Sequence, residues 1–282
     1  MTMTGWTKGA RLVGTVLVVA ALGACGAREE ATVDVENLSA KEIFALGEKK
    51  LAESPKSTAA AIYFADVERL YPYSEWAKRA VLMQAYSEHQ QKKYEDARAA
   101  AQRYIDTWPE GEDSAWAHYI LAISYYDQID EIGRDQGLTF QALQALRDVI
   151  EKYPDSEYAS SAVLKFDMAF DHLAAKEMEI GRYYLRRGNY TAAINRFRTV
   201  VEQFQTTTQT PEALHRLVEA YLALGLDRDA QAAAAILGHN FRSSPFYEDS
   251  YRLLNARGLE PEAKGEGWLT QIWRQTIKGK WL

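Results

Sequence analysis

The chain of 282 residues contains one cysteine, which excludes any disulfide within the monomer. Five histidines, His89, His118, His172, His215 and His239, stand too far apart to share a helical turn. None sits at a recognised zinc spacing from a Cys or carboxylate, so a metal centre is not expected. Clustered Lys and Arg are scarce as well. The formal charge of −6 is spread along the sequence, which argues against a nucleic-acid partner. No Gly-rich phosphate loop opens a helix, no G-x-S-x-G elbow occurs, and the carboxylates fall at ordinary helix-surface spacings without a paired acid and base. Neither an enzyme nor a bound cofactor is expected. From Ser39 onward, β-branched runs of strand type are missing too. What is present is 47% hydrophobic and 26% charged, the balance of a chain that folds.

The lone cysteine gains meaning from what precedes it. Lys8 and Arg11 form a short basic region, and Leu12 to Leu22 is an apolar run of eleven residues followed by Gly23, Ala24 and Cys25. As a helix such a run spans roughly 16 Å at ~1.5 Å per residue, about half of a ~30 Å bilayer core, so it suits a secretory signal better than a membrane span. Leu22-Gly23-Ala24-Cys25 resembles a bacterial lipobox. That resemblance implies diacylglyceryl attachment to the Cys25 sulfur, cleavage before it and acylation of the new amine. Gly26, in place of Asp, implies sorting to the outer membrane, with the anchor in its inner leaflet. Residues 1–24 then form the signal, and 25–38 a polar, acidic, flexible tether.

Beyond the tether, apolar positions recur at helical spacing. YPYSEWAKRAVL, Tyr71 to Leu82, and YPDSEYASSAVL, Tyr153 to Leu164, agree at eight of twelve positions. In each, Pro stops one helix, and Ser74 or Ser156 followed by Glu is suited to cap the next. Small residues recur at Ala60, Ala97, Ala142, Ala193 and Ala230, spaced 37, 45, 51 and 37 residues apart. Apolar residues follow each at i+4 (Phe64, Ala101, Leu146, Phe197, Ala234) and i+7 (Val67, Tyr104, Val149, Val200, Leu237). Upstream, Gly47, Ala85, Ala122 and Gly181 let two helices approach closely. These residues resemble the tetratricopeptide repeat. The resemblance implies an all-α solenoid of five helix pairs in a right-handed superhelix over residues 39–258. Its units fall near 39–72, 73–109, 110–154, 155–205 and 206–245, plus a closing helix. The long spacings imply additions around Asp127 to Phe140 and one unusually long helix within Asp155 to Arg187. A single unit cannot bury its own apolar stripe, so the units stack and form a concave face.

First-helix residues facing that concavity are Phe44 and Glu48, then Arg79, Leu82, Tyr86 and His89, then Trp116, Tyr119, Ile123 and Tyr126. An aromatic, partly charged groove suits an extended peptide with an aromatic end, whereas the same stripe can equally be core. Arg182, Arg186, Arg187, Arg196 and Arg198 lie close in sequence and could dock an acidic surface, or be balanced by Glu177, Glu179 and Glu202 on a solvated face. Residues 259–282 form a basic, Trp-rich tail with Trp268, Trp273 and Trp281, suited to cap the solenoid or meet a partner more than to lie on a membrane.

Taken with the lipobox and five repeats, YPYSEWA, YYDQI with RDQ (Tyr125 to Ile129, Arg134 to Gln136) and KEMEIGRYYLRRGNYTAAINRF (Lys176 to Phe197) closely resemble the BamD (ComL) family. The resemblance implies a lipoprotein of the β-barrel assembly machinery, facing the periplasm and accompanied by other lipoproteins of that machinery. It implies that the groove, with Trp116, Tyr119 and Tyr126, receives the C-terminal signal of unfolded outer-membrane proteins. Arg196 and its neighbours would contact the POTRA domain of the barrel subunit BamA. A pilotin-like or division-linked tetratricopeptide lipoprotein would share anchor and fold but serve another machine.

Overall fold

The computed structural model describes residues 33–132 and 135–280, which contain twelve helices. They are α1 (Ala40–Glu53), α2 (Thr58–Leu70), α3 (Glu75–Gln90), α4 (Tyr94–Thr107), α5 (Ser114–Tyr126) and α6 (Gly137–Lys152). Then come α7 (Ala159–Arg186), α8 (Tyr190–Gln203), α9 (Thr210–Ala223), α10 (Asp227–Asn240), α11 (Pro245–Asn255) and α12 (Trp268–Thr276). Helices α1 to α10 pack as five consecutive antiparallel pairs, and α11 closes the stack against α9 and α10. This is the tetratricopeptide-like solenoid that the repeat spacing implies.

Each pair is held where a small residue meets a bulky one. Gly47 in α1 lies under Phe64 of α2, so close that a Cβ on Gly47 would stand 2.7 Å from the ring. Gly181 in α7 meets Phe197 of α8 in the same way, at 2.4 Å. Where the first helix carries alanine instead, at Ala85 and Ala122, both alanines are fully buried beside Ala101 and Leu146. Bulk on one helix is thus matched to space on the other, which interior packing density demands.

The joints between pairs share a device. Each of α2, α4, α6, α8 and α10 ends on an aromatic C-cap: Tyr71, Trp108, Tyr153, Phe204 and Phe241. Their backbone N–H groups donate to Val67, Tyr104, Val149, Val200 and Leu237, the i+7 members of the stripe. The aromatic falls eleven residues after each aligning alanine. In the first joint Ser74 Oγ accepts from the Ala77 N–H at 3.1 Å and donates to the Tyr71 carbonyl at 2.8 Å, as a cap should. The second copy departs from this. Ser156 donates to the Tyr153 carbonyl at 2.8 Å, but α7 begins only at Ala159, whose N–H is satisfied by the Ser156 carbonyl at 3.1 Å. A backbone turn does there what a side-chain cap does at Ser74.

Two boundaries differ from the sequence reading. The last residues of the expected tether are packed: Val35 is buried, the Val33 N–H donates to the Tyr63 hydroxyl at 2.8 Å, and Tyr71 donates to the Leu38 carbonyl at 2.6 Å. The apolar side chains in AREEATVDVENL are too few to show periodicity, but Val35 and Leu38 reach the first pair. In the tail, α12 covers the outer flank of α10 rather than the open end. Leu269 and Ile272 are buried, Trp268 donates to the Tyr221 hydroxyl at 3.0 Å, and Trp273 stands edge-on to His239 at 5.5 Å.

Candidate functional site

Odd-numbered helices touch their odd-numbered neighbours from α1 through to α11, while among the described residues the only even-numbered pair in contact is α10 and the terminal α12. Elements on the inside of a bend crowd together and those outside splay apart. The odd helices therefore form the inner wall.

Four of the five seams in this wall are plugged alike. Ser-x-aromatic recurs at the entry to α3, α5, α7 and α11, as Ser74-Glu75-Trp76, Ser114-Ala115-Trp116, Ser156-Glu157-Tyr158 and Ser244-Pro245-Phe246. Trp76 packs on Phe44 (ring centroids 5.2 Å), Trp116 on Tyr86 (5.9 Å), Tyr158 on Tyr119 (5.2 Å) and Phe246 on His215 (5.7 Å). Each such aromatic pair contributes about 0.5–1.5 kcal/mol beyond its buried area. The seam between α7 and α9 is the exception and is polar. There Asp171 accepts from the Thr208 N–H at 2.8 Å, the Thr208 hydroxyl at 2.6 Å and the Gln209 amide at 3.1 Å.

The expected groove residues divide under this geometry. Tyr86, Trp116, Tyr119 and Tyr126 are part-buried on the wall, and Arg79 is exposed with its guanidinium 5.7 Å from the Phe44 ring and 5.8 Å from the Trp76 ring. Phe44 itself is 2% exposed, enclosed by Phe64, Trp76 and Arg79, so it supports the wall without reaching an incoming chain. Leu82 and His89 are likewise buried; His89 meets the Ser124 hydroxyl at 3.0 Å and Asp127 at 3.2 Å. The Tyr119 hydroxyl meets Ser161 at 2.7 Å, and Tyr126 donates to the Met168 sulfur at 3.5 Å with the Lys165 ammonium 5.0 Å from its ring. Burial, followed by the neighbouring Glu157, pushes the Tyr158 phenol up to about 12, so this plug stays neutral. Trp76 and Tyr158, absent from the expected groove set, stand in the duplicated phrase itself, at its sixth position in both copies.

Toward the C-terminus the wall turns ionic. Arg182 of α7 pairs with Glu212 of α9 at 3.0 Å, and Arg216 bridges Glu212 at 3.2 Å and Glu219 at 2.7 Å. Burial pushes the Glu219 carboxyl up, but hydrogen bonds from His215 and Arg216 outweigh it and hold it below the ordinary range. The five arginines do not converge. Arg182 faces α9, Arg196 turns back to Glu177 at 3.1 Å, Arg198 pairs with Glu202 at 2.8 Å while stacking on Trp268 at 4.8 Å, and Arg187 lies on Tyr183. Arg186 is exposed. Helical rotation sends near neighbours in sequence to different faces. Among the described residues no group of three or more His, Cys, Asp or Glu could hold a metal ion, and no helix is long and apolar enough to cross a membrane. Cys25, Arg134 and Trp281 lie outside the described residues.

The profile of the YfiO family, described as outer membrane lipoprotein, matches residues 36–236. The chain belongs to this family. It is similar to the outer membrane protein assembly factor BamD of Caulobacter vibrioides, with 45% identity over 250 residues covering 88% of this chain and 82% of the relative. With BamD of Rickettsia prowazekii it shares 38% identity over 248 residues, covering 86% of this chain and 96% of the relative. BamD of Neisseria meningitidis serogroup A is 27% identical over 257 residues, covering 86% and 95%. For the YfiO family the matched span takes in the aromatic seams from α1 to α7 and ends within α10, before Phe246 and the Trp-rich tail.

Proposed function

We propose that this YfiO-family lipoprotein is an outer-membrane protein assembly factor that works as a non-enzymatic, lipid-anchored scaffold of the β-barrel assembly machinery. The aromatic inner wall of α1 to α7 holds the C-terminal segment of an unfolded barrel protein, and Arg196 docks the POTRA region of BamA. Family membership supports the role, as do relatives named assembly factors along nearly their full length. The observation that carries the groove reading is the run of part-buried aromatics at successive seams, with the exposed Arg79 at one end and the half-buried Lys165 at the other. Aromatic walls give a peptide's terminal ring a large contact at small entropic cost, and a cation supplies a partner for its carboxylate. Tethering to a membrane confines wall and dock together and raises their effective concentration.

Arg196 keeps 43% of its side chain exposed despite its pair with Glu177, leaving donors free for a second acidic partner. Arg196→Ala is expected to cut recovery of a POTRA-bearing barrel protein on the purified chain at least fivefold, with the thermal midpoint little changed. Undiminished recovery would remove Arg196 from the dock. Failure of the unaltered chain to recover any such protein would favour another periplasmic tetratricopeptide adaptor.

A further inference from the structure

The duplicated phrase meets opposite fates in its two copies. Val81 and Leu82 of the first are 0% and 1% exposed, whereas Val163 and Leu164 of the second, the same letters at the same places, are 41% and 66% exposed. In α3 these residues are covered by Tyr104 from the end of α4 and Ala117 and Trp116 from the start of α5. In α7 the corresponding cover is missing, because α7 is too long for it. The small residue that seats the second helix is the eighth, eleventh and ninth residue of α1, α3 and α5, but Gly181 is the twenty-third of α7. About a dozen extra residues, roughly 18 Å at ~1.5 Å each, thus project past the α8–α9 joint. Phe204, the C-cap of α8, marks the limit by packing on Phe170 at 4.9 Å.

This overhang is anchored on one side only. Ala162 is buried with Ala122, Leu146 and Val149 of the preceding pair. The opposite side shows Val163 and Leu164, and further along α7 cavities of about 580 and 490 Å³ open beside Phe170. It is also the one seam without an aromatic plug. Asp155 and Asp167 are exposed at this end of α7, Glu157 is hydrogen-bonded to Tyr158, and Lys165 and Arg147 are engaged with the Tyr126 and Phe166 rings.

We infer that the first three turns of α7 are a docking site for an amphipathic α-helix of a partner protein, one whose apolar face of small or aromatic residues is flanked by Lys or Arg. Such a helix takes the place over Val163 and Leu164 that the α4–α5 joint takes over Val81 and Leu82, and its basic flanks face Asp155 and Asp167. Helix-in-groove docking on an exposed apolar strip of this kind is a general recognition mode. The site is separate from the inner-wall groove.

The test uses the mature chain without lipid and two stapled helical peptides with one Ala, Leu and Tyr face, flanked in one by Lys and Arg and in the other by Glu. Binding of the basic peptide is expected, with at least tenfold loss in Val163→Glu/Leu164→Glu and no binding of the acidic peptide. Both side chains are exposed, so the variant's melting midpoint should hold. A peptide ending in Phe should bind the variant as before, which separates this site from the groove. Equal binding of the basic peptide to both proteins would overturn the proposal. So would a wild-type dimer that the variant dissolves in sedimentation, or vesicles of anionic lipid that bind wild type and not the variant while the peptide binds neither.

Discussion

Glu88 shows how a single residue can be out of keeping with its helix. It is 8% exposed; one carboxylate oxygen accepts from Gln84 at 2.8 Å, and the other is buried with no partner among the described residues. Burial raises its pKa above the ordinary value of 4.5, only partly offset by the Gln84 bond. The folded state therefore keeps the proton to higher pH than the unfolded state, and stability falls as pH rises above the ordinary carboxylate range. Glu88→Gln should remove that fall and raise stability near neutrality by about 1 kcal/mol, the scale of a buried unsatisfied group. Denaturant melts at pH 4.5 and 7.5 check it: the variant's advantage must grow with pH. Nothing in SEHQ signals this strain, since burial of Glu88 comes from neighbours distant in sequence. By contrast the seam plugs were legible. Ser-x-aromatic stands at the entry to four helices, but reading it required knowing that the aromatic leans back onto the previous odd helix.

At the scale of the element, α7 carries two different jobs along one axis. Its C-terminal half is a tetratricopeptide first helix, pinned at Gly181 beneath Phe197. Gly181→Ala puts a Cβ 2.4 Å from that ring, and since Phe197 is fully buried the ring has nowhere to go. The variant should lose about 1–3 kcal/mol by overpacking, and hydrogen exchange should quicken in α7 and α8 more than in α1 and α2. Unchanged exchange would mean that the pair has slack the packing does not show. The 51-residue spacing between Ala142 and Ala193 made a long helix readable within Asp155 to Arg187, but not the exposure of Val163 and Leu164. Periodicity reports which residues share a face; whether a neighbouring helix extends far enough to cover them is a tertiary fact. Helical rotation, for its part, dispersed the arginines that sequence proximity grouped.

For the whole molecule, the stacking of α1 to α11 converts five marginal hairpins into a wall whose character changes along its length, aromatic at the seams of α1, α3, α5 and α7 and ionic between α7 and α9. The repeat spacing made the solenoid legible because each unit carries its own stripe. The tail's course over α10 was not legible, because its amphipathic pattern fits any apolar surface. On the reading proposed above, Cys25 holds this wall at the membrane. Cys25→Ala should abolish incorporation of a clickable fatty acid and remove the protein from the outer-membrane fraction; continued labelling would place the lipid elsewhere. The central claim is that the aromatic inner wall grips the end of an unfolded chain, and photocrosslinking tests it most directly. A peptide ending in a photoreactive phenylalanine, irradiated with the purified protein and mapped by mass spectrometry, should attach to α3 or α5, at Arg79, Tyr86, Trp116, Tyr119 or Tyr126. Attachment confined to the even-numbered helices of the outer flank would contradict the account.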